Sequence, residues 1–196
     1  MTTSPPEASL GLAAANALIG RPDGRLTEHN AADVLAERGA GKRVGMIGRF
    51  PFADKLERDC GELWVFERGD GRRPDDLDDD QMAELLPQAD VVAVTSTSLL
   101  NRTLPEILHL LRPDAFVVLL GPSTPLVARL FDLGIDLLCG TLVTDSEAVV
   151  RAEADALVVV LNRSRHRALA LSADSGLAGN GLAPHWQLGT WDPDER

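Results

Sequence analysis

The stretch A-F-V-V-L-L-G-P-S-T-P-L, residues 115–126, decides the class of fold. Its first six residues form a short apolar run with branched side chains, which is typical of a parallel strand that is buried on both faces. Gly121 and Pro122 end that strand, and the loop beyond them carries the hydroxyl groups of Ser123 and Thr124. Because open α/β sheets bind ligands just past the carboxyl ends of their strands, this loop is predicted to belong to a ligand site.

Similar apolar runs alternate with helix-forming segments on both sides of this stretch. The predicted strands span residues 43–47, 63–66, 91–95, 115–120 and 135–139. The predicted helices span residues 7–19, 27–37, 81–86, 104–111 and 126–133. Helices of roughly ten residues between strands force parallel pairing through right-handed crossovers. We therefore expect an α/β protein, a Rossmann-like three-layer sandwich with a mostly parallel sheet.

The chain is expected to form one domain with short irregular ends. Residues 1–6 are expected to be frayed, residues 7–185 to form a single Rossmann-like domain, and residues 186–196 to form an irregular C-terminal tail. The first helix has the composition of a buried helix. One more helix is expected from residue 146, and the run A-L-V-V-V-L-N at residues 156–162 fits either a strand or a buried helix.

Composition excludes several classes of partner. The chain has 30 acidic and 19 basic side chains and a net charge of -11, so it repels phosphate backbones and anionic membranes. Its apolar runs are far shorter than the ~20 residues that span a bilayer, and residues 1–7 lack the pattern of a signal peptide. Cys60 and Cys139 form no C-x-x-C pair, which fits a reducing cytoplasm.

The turn after the first predicted strand, G-M-I-G-R-F-P at residues 45–51, is similar to a dinucleotide-binding turn. It lacks the third glycine of that motif, and Pro51 and Phe52 stand where a phosphate-binding helix should begin. Glu67 lies 19 residues after Gly48, where nucleotide-binding folds bind a ribose hydroxyl through a carboxylate. The alternative is that Glu67 pairs with Arg68 or another surface cation.

A second polar turn, T-S-T-S-L-L-N-R-T at residues 95–103, follows the third predicted strand. Its hydroxyl and amide groups either cap the next helix or line a site, and a cap accounts for only one or two of them. Consecutive parallel strands end at one edge of the sheet, so we expect one crevice that favours a small anion. Its predicted ligand-binding residues are Gly48, Arg49, Glu67, Thr95, Thr97, Asn101, Thr103, Gly121, Ser123 and Thr124.

Other chemical motifs are weak. The acidic run at residues 75–80 lacks the spacing of an EF-hand and is interpreted as a solvated loop that also supplies negative charge to a helix start. The four histidines are scattered, which leaves a soft-metal site without support from spacing. No nucleophile elbow, P-loop or zinc-protease motif occurs, so the catalytic residues and the question of catalysis stay open.

The sequence resembles the Putative heavy-metal chelation family over about residues 7–150. The matching pieces are E-A-S-L-G-L-A-A-A-N-A-L (7–18), V-G-M-I-G-R-F-P (44–51), V-F-E-R (65–68), L-L-P-Q-A-D-V-V (85–92), T-S-T-S-L-L-N-R-T (95–103), G-P-S-T-P-L (121–126) and F-D-L-G-I-D-L-L-C-G (131–140). The resemblance implies a Rossmann-like domain without the enolase-amino-terminal-like domain that precedes it in two-domain members. Arg49 stands where the family often has histidine, and Ser96 replaces a usual glycine. The first change removes a metal ligand and adds a cation suited to anions.

Three hypotheses about function follow. The first is a binding protein that holds an anionic or metal-chelating metabolite, with Arg49 paired to the anion. The second is an enzyme of metabolite or metallophore biosynthesis that uses an S-adenosyl or nucleotide cofactor bound by Glu67. The third is a subunit whose site is completed by a partner chain that replaces the missing domain, or by a second copy in a homodimer that associates through the aliphatic first helix. The cofactor stays open, with a divalent metal and an S-adenosyl or nucleotide ligand as the candidates.

Overall fold

The structure is a computed structural model that describes residues 4–19, 26–27, 30–68, 72–143 and 156–162. The helices are α1 (Pro5–Ile19), α2 (Ala31–Gly39), α3 (Ala53–Asp59), α4 (Asp79–Leu85), α5 (Thr97–Leu100) and α6 (Leu104–Leu110). The strands are β1 (Leu26–Thr27), β2 (Arg43–Ile47), β3 (Glu62–Phe66), β4 (Val91–Thr95), β5 (Phe116–Leu120), β6 (Leu137–Val143) and β7 (Ala156–Asn162). Two short 3-10 helices occupy Leu86–Gln88 and Ala128–Leu133.

The seven described strands form one sheet in the order β1-β7-β6-β5-β4-β2-β3. Strands β2 to β6 are all parallel, whereas β7 runs antiparallel to both β6 and β1 at one edge. The prediction of an α/β fold with a mostly parallel sheet is confirmed.

The order of the strands creates a switch point between β2 and β4. The chain passes from β2 to β3 on one side and returns to pair β4 with the other side of β2, in register from Val44 with Val91 to Ile47 with Val94. The connections after β2 and β4 therefore diverge and leave a crevice at the carboxyl ends of these strands. Open α/β sheets bind ligands in such crevices.

Two apolar layers hold the helices against the sheet. On β4, the side chains of Val91 and Ala93 join the cluster that packs α2 and α3, and those of Val92 and Val94 join the cluster that packs α4 and α6. All four residues are fully buried. The continuous apolar runs of the sequence follow from this burial on both faces, and the three-layer arrangement is confirmed.

Several predicted boundaries are wrong for local reasons. The helix predicted from residue 27 begins at Ala31, because the Asn30 side chain accepts a 3.0 Å hydrogen bond from the Ala32 N–H and caps it. The helix predicted at residues 126–133 is the second 3-10 helix, which Gly134 ends at a φ of 91°. The helices α3 and α5 were not predicted. The run at 156–162 is strand β7, and the helix predicted from residue 146 lies outside the described residues.

The expectation of a buried first helix is also wrong. Helix α1 starts at Pro5, within the segment predicted to be frayed, and none of its residues is buried. Leu10 and Leu18 are 73% and 88% exposed, and α1 meets the rest of the protein mainly through α5 and the Asn16 side chain. The prediction that this helix mediates self-association stays a prediction. None of the described helices is long and apolar enough to cross a bilayer.

A substitution at Gly61 can test how tightly the turn before β3 is packed. A Cβ atom at this position would lie 2.7 Å from the backbone carbon of Gly41, where backbone cannot yield. We expect Gly61→Ala to lower the free energy of unfolding by about 1–3 kcal/mol in urea titrations. Gly11→Ala is the matched control, because nothing lies within 4 Å of a Cβ at that position in α1. Equal stability of the two variants would contradict the close approach.

Candidate functional site

The turn after β2 brings its backbone close to β4. Gly48 has a φ of +86°, a region that favours glycine, and a Cβ atom there would lie 3.1 Å from the Thr95 side chain. The Gly48 N–H donates a 2.9 Å hydrogen bond to the Phe66 carbonyl oxygen. The glycine therefore lets the ends of β2, β3 and β4 approach one another.

Glu67 joins the turns that follow β2 and β3. Its Oε2 atom accepts a 2.7 Å hydrogen bond from the Arg49 N–H, and its Oε1 atom accepts one of 2.7 Å from the Arg68 N–H. The hydrogen bonds of Gly48 and Arg49 use the backbone donors that a phosphate-binding turn would direct at its ligand. Glu67 thus connects the two turns. It differs from both expectations, because it pairs with no surface cation in the described structure and its two carboxylate oxygens already accept backbone hydrogen bonds.

Arg49 is held by carboxylates. Its Nε atom lies 3.0 and 3.2 Å from the two carboxylate oxygens of Asp76, its terminal nitrogens bind Asp76 and Asp54, and Asp75 lies 3.9 Å away. The Asp76 side chain is fully buried and also accepts a 2.8 Å hydrogen bond from the Arg73 N–H. These bonds keep the pKa of Asp76 below its ordinary value against the opposing effect of burial, and the Asp76 bonds raise the pKa of Arg49.

This ion pair corrects two expectations. Arg49 was expected to pair with a bound anion, but its guanidinium group is committed to the protein's own carboxylates. The acidic run was interpreted as a solvated loop, yet Asp76 is buried, and Asp78 forms a capping box with Gln81 at the start of α4. Asp79 in turn binds Arg68 at 2.8 Å. The predicted supply of negative charge to a helix start is found at α4, where Asp79 and Asp80 occupy the first turn.

The polar side chains of the turn after β4 form hydrogen bonds with one another. The Thr95 and Thr97 hydroxyl oxygens lie 2.7 Å apart, and Asn101 Oδ1 accepts hydrogen bonds from the N–H and the hydroxyl group of Thr103 at 3.1 and 2.7 Å. In the described structure, Ser96 before α5 and Thr103 before α6 make no side-chain cap hydrogen bond. Helix capping therefore does not account for the hydroxyl groups of this turn.

A cavity of about 200 Å³ opens between these turns. Seven of the ten predicted site residues line it: Gly48, Arg49, Glu67, Thr95, Thr97, Asn101 and Thr103. The other lining residues are Ile47, Phe50, Phe66, Arg68, Asp79, Met82, Ser98 and Ile107. The cavity lies at the switch point between β2 and β4, and its lining combines polar groups from the turns with apolar side chains from α4 and α6.

The remaining three predicted residues, Gly121, Ser123 and Thr124, do not line this cavity. Ser123 Oγ lies 3.1 Å from Ser96 Oγ, and the Ser123 carbonyl oxygen accepts a 2.8 Å hydrogen bond from Asn16 of α1. Gly121 has a φ of +141° and lies against Ser96, while Thr124 is buried. The loop that follows β5 thus contacts the polar turn at Ser96 and lies outside this cavity, and its part in ligand binding stays a prediction.

Sequence reasoning missed Ser98 as a lining residue. Ser98 is 1% exposed, and its Oγ atom has no hydrogen-bond partner among the residues that the structure describes. It belongs to the stretch T-S-T-S, but the pattern gives no reason to single it out from Ser96. Only the single turn of α5 places Ser98 in the wall of the cavity and Ser96 against Ser123.

The donor set does not fit a bare heavy-metal ion. Soft metals select thiolate and imidazole ligands, and no histidine or cysteine lines the cavity in the described part of the chain. Burial raises the pKa of Cys139 to about 12 and also raises that of Cys60, so both thiols are protonated at neutral pH. The described residues hold no cluster of three or more histidine, cysteine, aspartate or glutamate side chains that could bind a metal.

The fold and the site define a Rossmann-like α/β protein with a polar cavity at its switch point. The chain belongs to the family DUF364, described as Putative heavy-metal chelation, whose model matches residues 30–159. A DUF364 protein of unknown function from Desulfitobacterium hafniense is similar in structure, with a TM-score of 0.73 and 29% identity, over 82% of this chain and 71% of that one. A second, from Pyrococcus horikoshii, has a TM-score of 0.72 and 22% identity over the same shares.

A relative from Methanocaldococcus jannaschii, an uncharacterised protein, is 28% identical over 148 residues. The match covers 71% of this chain and 56% of that protein. The chain therefore spans little more than half the length of this relative.

The Arg49–Asp76 pair is predicted to stabilise the turns around the cavity. Asp76→Ala leaves the guanidinium group of a largely buried arginine without its main partner, so we expect the free energy of unfolding to fall by about 3 kcal/mol or more. Asp75→Ala is the matched control, since Asp75 is 74% exposed and lies 3.9 Å from Arg49, and should cost less than about 1 kcal/mol. Urea titration of both variants measures the difference, and equal losses would rule out a special role for Asp76.

The raised pKa of the buried Cys139 thiol predicts that the free energy of unfolding falls at alkaline pH. Its folded pKa of about 12 lies above the ordinary value of about 8.5 for an exposed thiol, so its contribution is complete below about pH 8.5 and is lost as the pH rises towards 12. We expect Cys139→Ala to show a smaller loss of unfolding free energy between about pH 7 and about pH 10 than the unmodified protein. An identical pH dependence in both proteins would contradict the assignment.

Proposed function

We propose that this chain binds one small organic metabolite in the cavity at the carboxyl ends of β2, β3 and β4. The observation that carries the proposal is the cavity itself, at the switch point of the sheet and lined by polar side chains from three separate turns. Small-molecule sites combine an apolar surface with a few convergent polar groups. The apolar surface comes from Phe50, Met82 and Ile107, and the polar groups include those of Thr97 and Asn101.

An organic ligand suits the cavity better than a bare metal ion. The lining side chains offer hydroxyl and amide groups, and both carboxylates among them already accept hydrogen bonds from Arg49, Arg68 or their backbone. A metal would reach this cavity in complex with its own chelator, and that is how the family's description would apply to this chain. A metal-chelating metabolite thus remains a candidate, whereas the anionic ligand loses the support expected from Arg49.

The volume favours a small ligand. The cavity has a volume of about 200 Å³. Pockets for drug-sized ligands begin at about 300 Å³. A nucleotide or S-adenosyl group is larger than this space, and the backbone donors that would bind its charged groups are used at Gly48 and Arg49.

The absence of a general base beside Ser98 in the described structure favours binding over catalysis. A serine nucleophile needs a general base within hydrogen-bond distance, and Ser98 Oγ has no such neighbour within the described residues. The two threonine hydroxyl groups at the cavity pair with each other rather than with a histidine or carboxylate.

A thermal-shift panel of small metabolites and divalent metals tests the proposal. Thr97→Trp fills the mouth of the cavity from an exposed position, and Ser9→Trp on exposed α1 is the matched control. A ligand specific to the native state raises the melting temperature. We expect at least one small metabolite to stabilise the unmodified protein and Ser9→Trp but not Thr97→Trp. Stabilisation by metals alone, or of Thr97→Trp to the same extent, would refute the proposed site.

A further inference from the structure

Glu67 is a carboxylate at the cavity that no cation meets in the described structure. It lines the cavity and is half-buried, and its two oxygens each accept one hydrogen bond from a backbone N–H group, those of Arg49 and Arg68. Neither donor is charged, and Glu67 forms no ion pair among the described residues. A carboxylate has about four acceptor positions, so these two bonds leave about half of them for a ligand.

The arginines around the cavity are engaged with other carboxylates. Arg49 binds the buried Asp76 and also Asp54, and Arg68 binds Asp79 at 2.8 Å. The network of these turns contains four arginines, Arg49, Arg68, Arg72 and Arg73, and five carboxylates, those of Asp54, Glu67, Asp75, Asp76 and Asp79. The network therefore carries a net negative charge, and Glu67 is its member at the cavity without a counter-ion.

Hydroxyl oxygens lie beside the same turn. A Cβ atom on Gly48 would lie 3.1 Å from the Thr95 side chain, and the next residue, Arg49, bonds to Glu67. Thr95 and Thr97 share one hydrogen bond of 2.7 Å, and each hydroxyl oxygen has about two acceptor positions. The lining therefore offers a carboxylate together with hydroxyl oxygens, which suits a cation that carries several N–H bonds.

We infer that the ligand is a small organic cation whose ammonium group binds Glu67. The ammonium group donates hydrogen bonds to the Glu67 carboxylate and to the hydroxyl oxygens of Thr95 and Thr97. A hydrogen bond between charged groups is roughly twice as strong as a neutral one, and the bound cation offsets the negative charge of the network. The apolar remainder of the ligand packs against Met82 and Ile107, which line the cavity. This inference rests on the proposed function and names the chemical class of ligand for the same site.

Three probes of similar size test the charge of the ligand: benzylammonium, benzyl alcohol and benzoate. Each is titrated at neutral pH into isotopically labelled protein, and NMR follows the backbone amide signals of Arg49 and Arg68. Both N–H groups bond to Glu67, so their signals respond when a ligand binds the carboxylate. The Gly134 signal is the reference, because the Gly134 N–H bonds to the Phe131 carbonyl oxygen in a turn that does not line the cavity.

We expect benzylammonium to shift the signals of Arg49 and Arg68 but not that of Gly134. It should bind at least about tenfold more tightly than benzyl alcohol, because only the cation forms a bond between opposite charges. Benzoate should bind most weakly, and magnesium chloride alone should leave the signals in place. Binding of benzyl alcohol or benzoate that equals that of benzylammonium, or larger shifts with magnesium chloride, would overturn the inference.

Two glutamates at opposite ends of β3 provide a matched pair of variants. Glu67→Gln removes the charge at the cavity, so we expect benzylammonium affinity to fall at least about tenfold and its preference over benzyl alcohol to disappear. Glu62→Gln removes the same charge from an exposed residue at the start of β3 and should leave both affinities unchanged. Unchanged affinity in Glu67→Gln, or equal losses in the two variants, would contradict the role of Glu67.

The test does not depend on the stability of Glu67→Gln. Glutamine has one acceptor oxygen where Glu67 uses two, so this variant is expected to have a lower melting temperature. If it does not fold, the order of affinities of the three probes for the unmodified protein decides the inference.

The two proposals fail in different ways. If the metabolite panel yields a ligand that Thr97→Trp excludes but the probes show no preference for benzylammonium, only the cationic class is wrong. If neither the panel nor the probes respond to the cavity variants, the binding site itself is wrong.

Discussion

The buried ion pair between Arg49 and Asp76 is the interaction on which the candidate site depends. It connects the turn after β2 with the loop before α4, two segments 27 residues apart. The same arginine donates its backbone N–H to Glu67, which in turn accepts the N–H of Arg68. The ends of β2 and β3 and the loop before α4 are thus joined through one residue.

This network also decides the electrostatic character of the cavity. An arginine at the end of a strand would by itself attract anions, but here its charge is met by Asp76 and approached by Asp54 and Asp75. The chain carries an excess of acidic residues, and part of that excess is used to neutralise the cation nearest the cavity. The cavity lining keeps the carboxylate of Glu67, which accepts two backbone hydrogen bonds, beside neutral hydroxyl and amide groups and apolar side chains.

Membership in the family and the geometry of the site bear on different questions. The family model and the similar structures establish what kind of domain this is. The hydrogen-bonding atoms that line the cavity bear on the kind of ligand it could hold. They are mainly those of hydroxyl, amide and carboxylate groups, whereas a soft metal selects thiolate and imidazole ligands. Both views are compatible if the metal is held by an organic chelator, because the protein then needs to recognise only the chelator.

Periodicity and the turn residues determined the class of fold. The runs at β2, β4 and β5 are long enough for one strand, and apart from Arg43 and Thr95 at their ends they contain only apolar residues and glycine. This composition fits parallel strands that helices cover on both faces. Strand order then brought the turns after β2, β3 and β4 to one edge, which is why seven of the ten predicted residues line one cavity. Helix boundaries were less predictable, because side-chain hydrogen bonds such as that of Asn30 set them.

Only the tertiary structure decided how these residues are used. Whether Arg49 faces a ligand or Asp76 depends on where a distant acidic loop packs, and no local pattern encodes that distance. Likewise, Ser96 and Ser98 are equivalent in sequence, but the turn of α5 and the loop after β5 give the first a partner in Ser123 and leave the second at the cavity. The sequence by itself determined that a polar site follows the parallel strands, because hydrophobic periodicity is local. The charge and the donors offered to a ligand depend on long-range packing, and only the folded chain defines them.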